Sequence, residues 1–324
     1  MKPETSAVAA GKLAANGKRP AKPVESGKPS SEGQRNIVER GKLPPLDSGM
    51  SSAAKVAEVI GDLPAMPHIA SQVLGLLSDD DSNPREINRL ITQDQALAAR
   101  VLKVANSPFY GASRSIATLN DAIVFMGFES IRSLITTAVL KGIYSKVGLA
   151  EKLLWEHSVG CGLAARKIAQ EIRYRRREEA YLAGLMHDVG KTALFLHAPE
   201  AMGIIMEDVY NEGTDFFELE QRMFGFNHAL VGGAITNQWR FAANIEEAIA
   251  DHHQLDAATS PAELTQIVSA ANCLCHKLSV GPTKKPDLDL TRVKSLKALG
   301  LTPERIEKIL SEVEETLRAD PAGI

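Results

Sequence analysis

Arg177-Glu178-Glu179-Ala180-Tyr181-Leu182-Ala183-Gly184-Leu185-Met186-His187-Asp188-Val189-Gly190-Lys191 is the stretch on which this chain turns. Leu182, Leu185, Met186 and Val189 recur at helical spacing, with the small residues Ala180, Ala183 and Gly184 beside them. The spacing predicts a helix over 178–190, with His187 and Asp188 at the end of an apolar helix instead of on a solvated loop. A neutral imidazole next to a carboxylate can place two ligands on one divalent cation. Gly190 is expected to stop the helix, and Lys191 to favour its carbonyl end. A His-Asp pair alone is weak evidence, so the weight falls on what accompanies it.

The totals narrow the function classes. At 324 residues the chain has ample length for a real core in one or two domains. A net charge of -3 argues against a sequence-independent grip on nucleic acid, and 5% aromatics argue against base-stacking platforms. The three cysteines, Cys161, Cys273 and Cys275, are an odd count, and Met1-Lys2-Pro3-Glu4-Thr5-Ser6 opens no apolar signal segment. The apolar run Ala122-Ile123-Val124-Phe125-Met126 is soon interrupted by Glu129 and Arg132, so no membrane span is expected. A reducing, cytoplasmic setting follows as the expectation.

Residues 1–50 form a Lys/Gly/Pro/Ser/Ala mixture without apolar periodicity, expected to be a disordered, solubilising tail. From Ser51 onward the pattern is helix after helix, which makes the chain all-α. Pro67 opens a helix striped by Ile69, Val73, Leu74 and Leu77. Asn83-Pro84-Arg85-Glu86 reads as a cap, a first-position proline and a closing glutamate. Asp94 can cap the next helix, which Asn106-Ser107-Pro108 ends, and Gly127 separates two further helical stretches. Later helices are expected at 157–173, 178–190, 200–212, 216–224, 228–239, 242–253 and 261–279, with a last amphipathic helix after Thr302-Pro303. In the run Arg173-Tyr174-Arg175-Arg176-Arg177, cations ending one helix before anions starting the next are a cheaper explanation than a phosphate clamp.

Helical spacing turns an unusual set of polar residues inward. His157 shares a face with Cys161, Ala164 and Ile168; His228 shares one with Val231, Ile235 and Trp239, after a cap at Asn227. His252 and His253 follow Ile249 by three and four residues, and Asn272 lies between Val268 and Cys275. One buried histidine is ordinary. Burying this many costs about 1–3 kcal/mol for each group left without a partner, so they must satisfy one another or a metal. In Cys273-Leu274-Cys275-His276 the two cysteines point to different faces, and cysteine as a small core hydrophobe is the simpler reading. His68 is expected at a helix start on the surface, and His197 in a loop before Pro199.

The order His157, His187-Asp188, His228, His252-His253, Asn272 resembles the ligand order of two-metal hydrolases of the HD phosphohydrolase superfamily. Leu63-Pro64-Ala65-Met66-Pro67, then Ile91-Thr92-Gln93-Asp94-Gln95-Ala96-Leu97-Ala98-Ala99-Arg100-Val101-Leu102-Lys103-Val104-Ala105-Asn106-Ser107, then Ile116-Ala117-Thr118-Leu119-Asn120-Asp121-Ala122-Ile123 with Gly127, resemble the HDOD domain, the HD-related output domain of bacterial signalling proteins. The likeness runs from about Ser52 to about Ser279. It implies a multi-helix HD-like fold: an N-terminal helical lobe over 51–145 packed on an HD-like lobe over 146–280, then a linker and C-terminal helix over 281–324. It also implies a metal set of His157, His187, Asp188, His228, His252, His253 and Asn272, holding one or two ions of iron, manganese or zinc. If the protein is a hydrolase, Lys191 matches the lysine that meets phosphate, and a nucleotide or phosphodiester would be the ligand.

Two departures weaken catalysis. The superfamily's last ligand is normally aspartate, where this chain has the neutral Asn272. In the cyclic-di-GMP phosphodiesterases a Glu and a Gly-rich loop follow the paired histidines, where this chain has Gln254-Leu255-Asp256-Ala257-Ala258-Thr259. The resemblance therefore implies a signalling module that works mainly by binding a protein partner in trans, with a metal-dependent phosphohydrolase as the alternative. A helix-turn-helix reading around Phe128-Glu129-Ser130-Ile131-Arg132 is the weakest, because no basic excess supports it.

Overall fold

The computed structural model describes residues 51–63, 67–76, 83–107, 110, 112, 115–145, 150–255 and 262–319. The expected tail over 1–50 and Leu77 lie outside them. Among the described residues there is no strand, and the all-α expectation holds.

Side-chain caps start four of the first five described helices, and Asn83 and Asp94 are the two that the sequence announces. Helix α1 (Ser52–Gly61) is capped by the Ser51 hydroxyl, which accepts from the Ala54 N–H. After α2 (His68–Leu76), α3 (Pro84–Ile91) starts from Asn83, whose side-chain oxygen accepts from Arg85 N, with Pro84 at a position where its missing N–H costs nothing. Helix α4 (Gln95–Ala105) is capped by Asp94. Helix α5 (Leu119–Tyr144) begins at Thr118 and breaks at Gly127, whose φ of 78° is left-handed. Ala70, Val73, Ile87, Ile91, Val101, Val104, Ile123, Ile131, Leu134 and Ile135 pack α2 to α5 into one apolar core. By length and composition α5 would be long enough and apolar enough to cross a membrane, and 61% of that span is buried inside the fold.

Asn106 closes this part of the molecule. Its amide donates to the carbonyls of Leu102 and Ile116, and its oxygen accepts from Ile116 N, all at 2.8 Å. The residue thus ends α4 and staples it to the chain entering α5. Asn106→Ala should cost about 1–3 kcal/mol, because it leaves both Ile116 groups without their partner. A urea midpoint unchanged from wild type would show that the staple is dispensable.

The remaining helices begin with α6 (Glu151–Glu171). They are α7 (Arg177–Met186), α8 (Val189–His197), α9 (Pro199–Glu212), α10 (Phe216–Phe224), α11 (His228–Gln238), α12 (Ala243–Ala250) and α13 (Glu263–Lys277), followed by the short α14 (Lys294–Ala298) and α15 (Pro303–Ala319). Helix α6 packs on α7, α13 and α15; α8 packs on α11; α12 lies between α11 and α13. The last helix docks through Ile306, Ile309, Leu310 and Val313 and is pinned by Arg305 and Lys308 to Glu171.

Several boundaries differ from the spacing-based expectation. The helix expected over 157–173 starts at Glu151, so His157 sits in its second turn, carried there by the buried Leu154 and Trp155. The helix expected over 178–190 is two helices, broken at His187-Asp188. Gly190 is therefore not a stop: it lies in the first turn of α8, where a Cβ would stand 2.0 Å from the His228 carbonyl oxygen. Its job is to let α8 and α11 touch backbone to backbone. Lys191 is likewise in a first turn and not at a carbonyl end. The basic run lies past the last turn of α6, which stops at Glu171. Arg173 takes a left-handed φ of 62°, and Tyr174 N bonds back to Ala169 O, a Schellman stop without glycine. His197 is the last residue of α8, not a loop residue, and bonds Asp62 at 2.6 Å, tying α8 to the end of α1.

Candidate metal centre

Asp188 is the hub. It occupies the break between α7 and α8, is 2% exposed, and four imidazole nitrogens converge on its two oxygens. Nε2 of His157 and of His187 lie 3.5 and 3.4 Å from Oδ2; Nε2 of His228 and of His252 lie 3.2 and 4.0 Å from Oδ1. One carboxylate oxygen thus faces α6 and α7, and the other faces α11 and the turn after α12.

Each ring is oriented from behind. Nδ1 of His157, His187 and His252 stands 2.7–2.9 Å from the carbonyl oxygens of Val280, Gly184 and Ile249. A carbonyl only accepts, so these Nδ1 atoms carry the hydrogen and the Nε2 lone pairs point into the cage. His228 is held by Glu220, whose carboxylate takes both its backbone N–H and its Nδ1–H, at 2.7 and 2.6 Å. Supporting hydrogen bonds of this kind are what metal-ligating histidines use to fix tautomer and direction.

The electrostatics agree with the geometry. Burial pushes the pKa of His157 and His187 down, and burial with the neighbouring His228 takes His252 to about 3, so these rings are neutral. Burial also works against charge on His228, but Glu220 and Asp188 outweigh it and raise its pKa. Burial opposes charge on Asp188 too, yet His187 and Lys191 hold its pKa well below the usual carboxylate range. The Lys191 ammonium bonds Asp188 Oδ2 at 2.6 Å and lies 4.5 Å over the Phe216 ring.

All seven residues expected in the metal set come together. Asn272 on α13 places its oxygen 3.1 Å from His157 Nε2, and His253 places Nε2 3.1 Å from His228 Nε2 while packing on Phe217. His187 Nε2, His252 Nε2 and Asp188 Oδ1 have no hydrogen-bond partner although buried. Two lone pairs facing at 3.1 Å, beside buried nitrogens with no donor, call for a proton or a cation between them. The residues fit a divalent ion, and the groups His187-Asp188-His252 and His228-His252-His253 each bring their ligand atoms within 4.8 Å of one another.

The sequence reading missed the supports. Glu220 is fully buried on the stripe Phe216, Leu219, Phe224, and a carboxylate at that position of an apolar face was the available signal. Val280 and Gly281 lie just past the helix expected over 261–279, yet Val280 supplies a carbonyl, and a Cβ on Gly281 would come within 2.6 Å of His157 Cβ. His276 stacks on His157 with centroids 5.3 Å apart. Cys275 is fully buried, as expected of a small core residue.

Comparison with known proteins places the chain in a family. A family model for the HDOD domain matches residues 63–255. An uncharacterised protein of Treponema pallidum (strain Nichols) is 24% identical over 218 residues, 67% of this chain and 42% of that protein. The chain therefore spans less than half the length of that relative. Among solved structures, an HDOD domain protein with unknown function from Geobacter sulfurreducens superposes with a TM-score of 0.68 at 27% identity, over 83% of this chain and 96% of that one. A putative signal transduction protein from Marinobacter aquaeolei VT8 gives 0.66 at 17% identity, over 90% of this chain and 63% of that one.

Proposed function

Because this chain belongs to the HDOD domain family, we propose that it is a bacterial signal-transduction module that acts mainly by binding a protein partner in trans, around a retained HD-type metal cage. The observation that carries this reading is Lys191. A lysine that meets phosphate must reach a substrate arriving from solvent, whereas this one is 4% exposed, turned inward and neutralised by Asp188. Asn272 supports the same reading, since a neutral amide bridges two divalent ions poorly. So does the name of the similar Marinobacter protein, a putative signal transduction protein.

In this reading His157, His187, Asp188, His228, His252, His253 and Asn272 hold one or two ions of iron, manganese or zinc. A bound ion would supply Lewis acidity and a bridge between helices. The chain's own residues orient the rings, exclude water and keep Lys191 on Asp188. The setting is cytoplasmic. The test is elemental analysis of purified protein beside His187→Ala, with a panel of phosphoesters. We expect stoichiometric metal in the wild type, weakened in the variant by at least the roughly 10–100-fold that losing a mere supporting hydrogen bond costs, and no turnover by either.

The convergence of bare Nε2 atoms on one carboxylate favours a second reading, a metal-dependent phosphohydrolase with Lys191 turning outward to a nucleotide or phosphodiester. Hydrolysis abolished by His187→Ala would establish that reading in place of the first.

A further inference from the structure

Resting on the reading of the cage as a metal site, we infer that Cys161 is a thiolate ligand of its His157/His187 half, which makes the two halves chemically different. Cys161 follows His157 by one helical turn on α6, so both side chains leave the same face. Its sulfur lies 3.6 Å from His157 Nε2, and the ligand atoms of His157, Cys161 and His187 all stand within 4.8 Å of one another. Asp188 Oδ2 completes the figure at 3.5 Å from His157 Nε2 and 3.4 Å from His187 Nε2.

The 3.4–3.6 Å separations, from His157 Nε2 to Cys161 Sγ and from Asp188 Oδ2 to both rings, are those of neighbouring ligands on one ion. With bonds of about 2.3 Å to sulfur and about 2.0–2.1 Å to nitrogen and oxygen, tetrahedral ligand atoms stand roughly 3.4–3.6 Å apart. A second observation points the same way: His187 Nε2 is buried, has no hydrogen-bond partner and faces this group. The other half, around Asp188 Oδ1, brings the imidazoles of His228, His252 and His253 and, among the described residues, no cysteine. Sulfur selects softer ions, so the Cys161 half should prefer zinc or cobalt, and the imidazole half should tolerate harder ions. On coordination the Cys161 S–H bond breaks, sulfur keeps the electron pair for the metal, and the proton passes to the buffer.

Cobalt(II) reports this directly. The full chain, reduced and stripped with chelator, is titrated with cobalt chloride and followed by absorption, beside Cys161→Ala and Cys275→Ala. We expect a near-ultraviolet thiolate-to-cobalt charge-transfer band in the wild type, kept in Cys275→Ala and lost in Cys161→Ala. Visible ligand-field bands retained by Cys161→Ala would show that it is folded and still takes cobalt through its histidines. Ligand-field bands without charge transfer in the wild type would overturn the thiolate while leaving the histidine cage standing. A band lost only in Cys275→Ala would overturn it by moving the ligand to Cys275. No cobalt spectrum in any protein would remove both the thiolate and the cage.

Discussion

Gly190→Ala is expected to cost at least about 3 kcal/mol, at or beyond the upper end of ordinary overpacking. The added Cβ would meet the His228 carbonyl oxygen at 2.0 Å and Gly232 N at 2.9 Å, both backbone atoms that no rotamer change can move. Relief requires α8 and α11 to separate. His228 is the first residue of α11 and takes its orientation from Glu220, so separation withdraws its Nε2 from Asp188. Metal binding and folding should fail together. The check is thermal unfolding with metal analysis of the same sample. A variant melting within about 2 °C of wild type would mean that the two helices are less tightly held than their contact implies.

The second large effect is acid destabilisation of the metal-free protein. His252 has a folded-state pKa of about 3 against 6.5 when free, lowered by burial and by His228. Below pH 6.5 the unfolded chain therefore takes a proton that the folded one refuses. Stability falls with falling pH by about 1.4 kcal/mol per unit, until the folded pKa is reached. Burial lowers His157, His187, His253 and His276 in the same direction, so their losses begin in the same window. His228 has the opposite sign: its stabilisation is complete below 6.5 and is lost as pH rises through its raised folded pKa. Asp188 enters only at lower pH, below its unfolded value of 3.8. Going from pH 7 to 5 should remove roughly 2 kcal/mol through His252 alone, and the other rings whose pKa burial lowers act in the same direction. Denaturant midpoints at the two pH values decide it; equal midpoints would mean that the rings accept protons while folded.

How far the sequence could be read depended on the kind of signal. Caps on exposed helix starts were legible because Asn83, Asp94 and Asn227 act locally, through their own next two or three residues. The inward-facing polar set was legible because polar residues on apolar stripes are costly and hence informative. Helix ends were not. Arg173, Arg240 and Ser279 stop α6, α11 and α13 in left-handed conformations that glycine usually takes, so their side chains gave no warning. The break at His187-Asp188 was hidden because the apolar periodicity runs through it. Gly190 looked like a stop because its real constraint, the His228 backbone, is distant in sequence. The partners behind the rings, Glu220 and Val280, were missed for the same reason: one is a carboxylate on another helix and the other a main-chain carbonyl, which sequence does not display.

The bond from His157 to the Val280 carbonyl spans 123 residues. A ribosome adding roughly 5–20 residues per second takes about 6–25 s to cover that interval. Through it, His157 and then His187-Asp188 have emerged without the Val280 carbonyl that fixes the first ring or the Asn272 that faces it. The arrangement around Asp188 can therefore close only late in synthesis, after Val280 has left the ribosome.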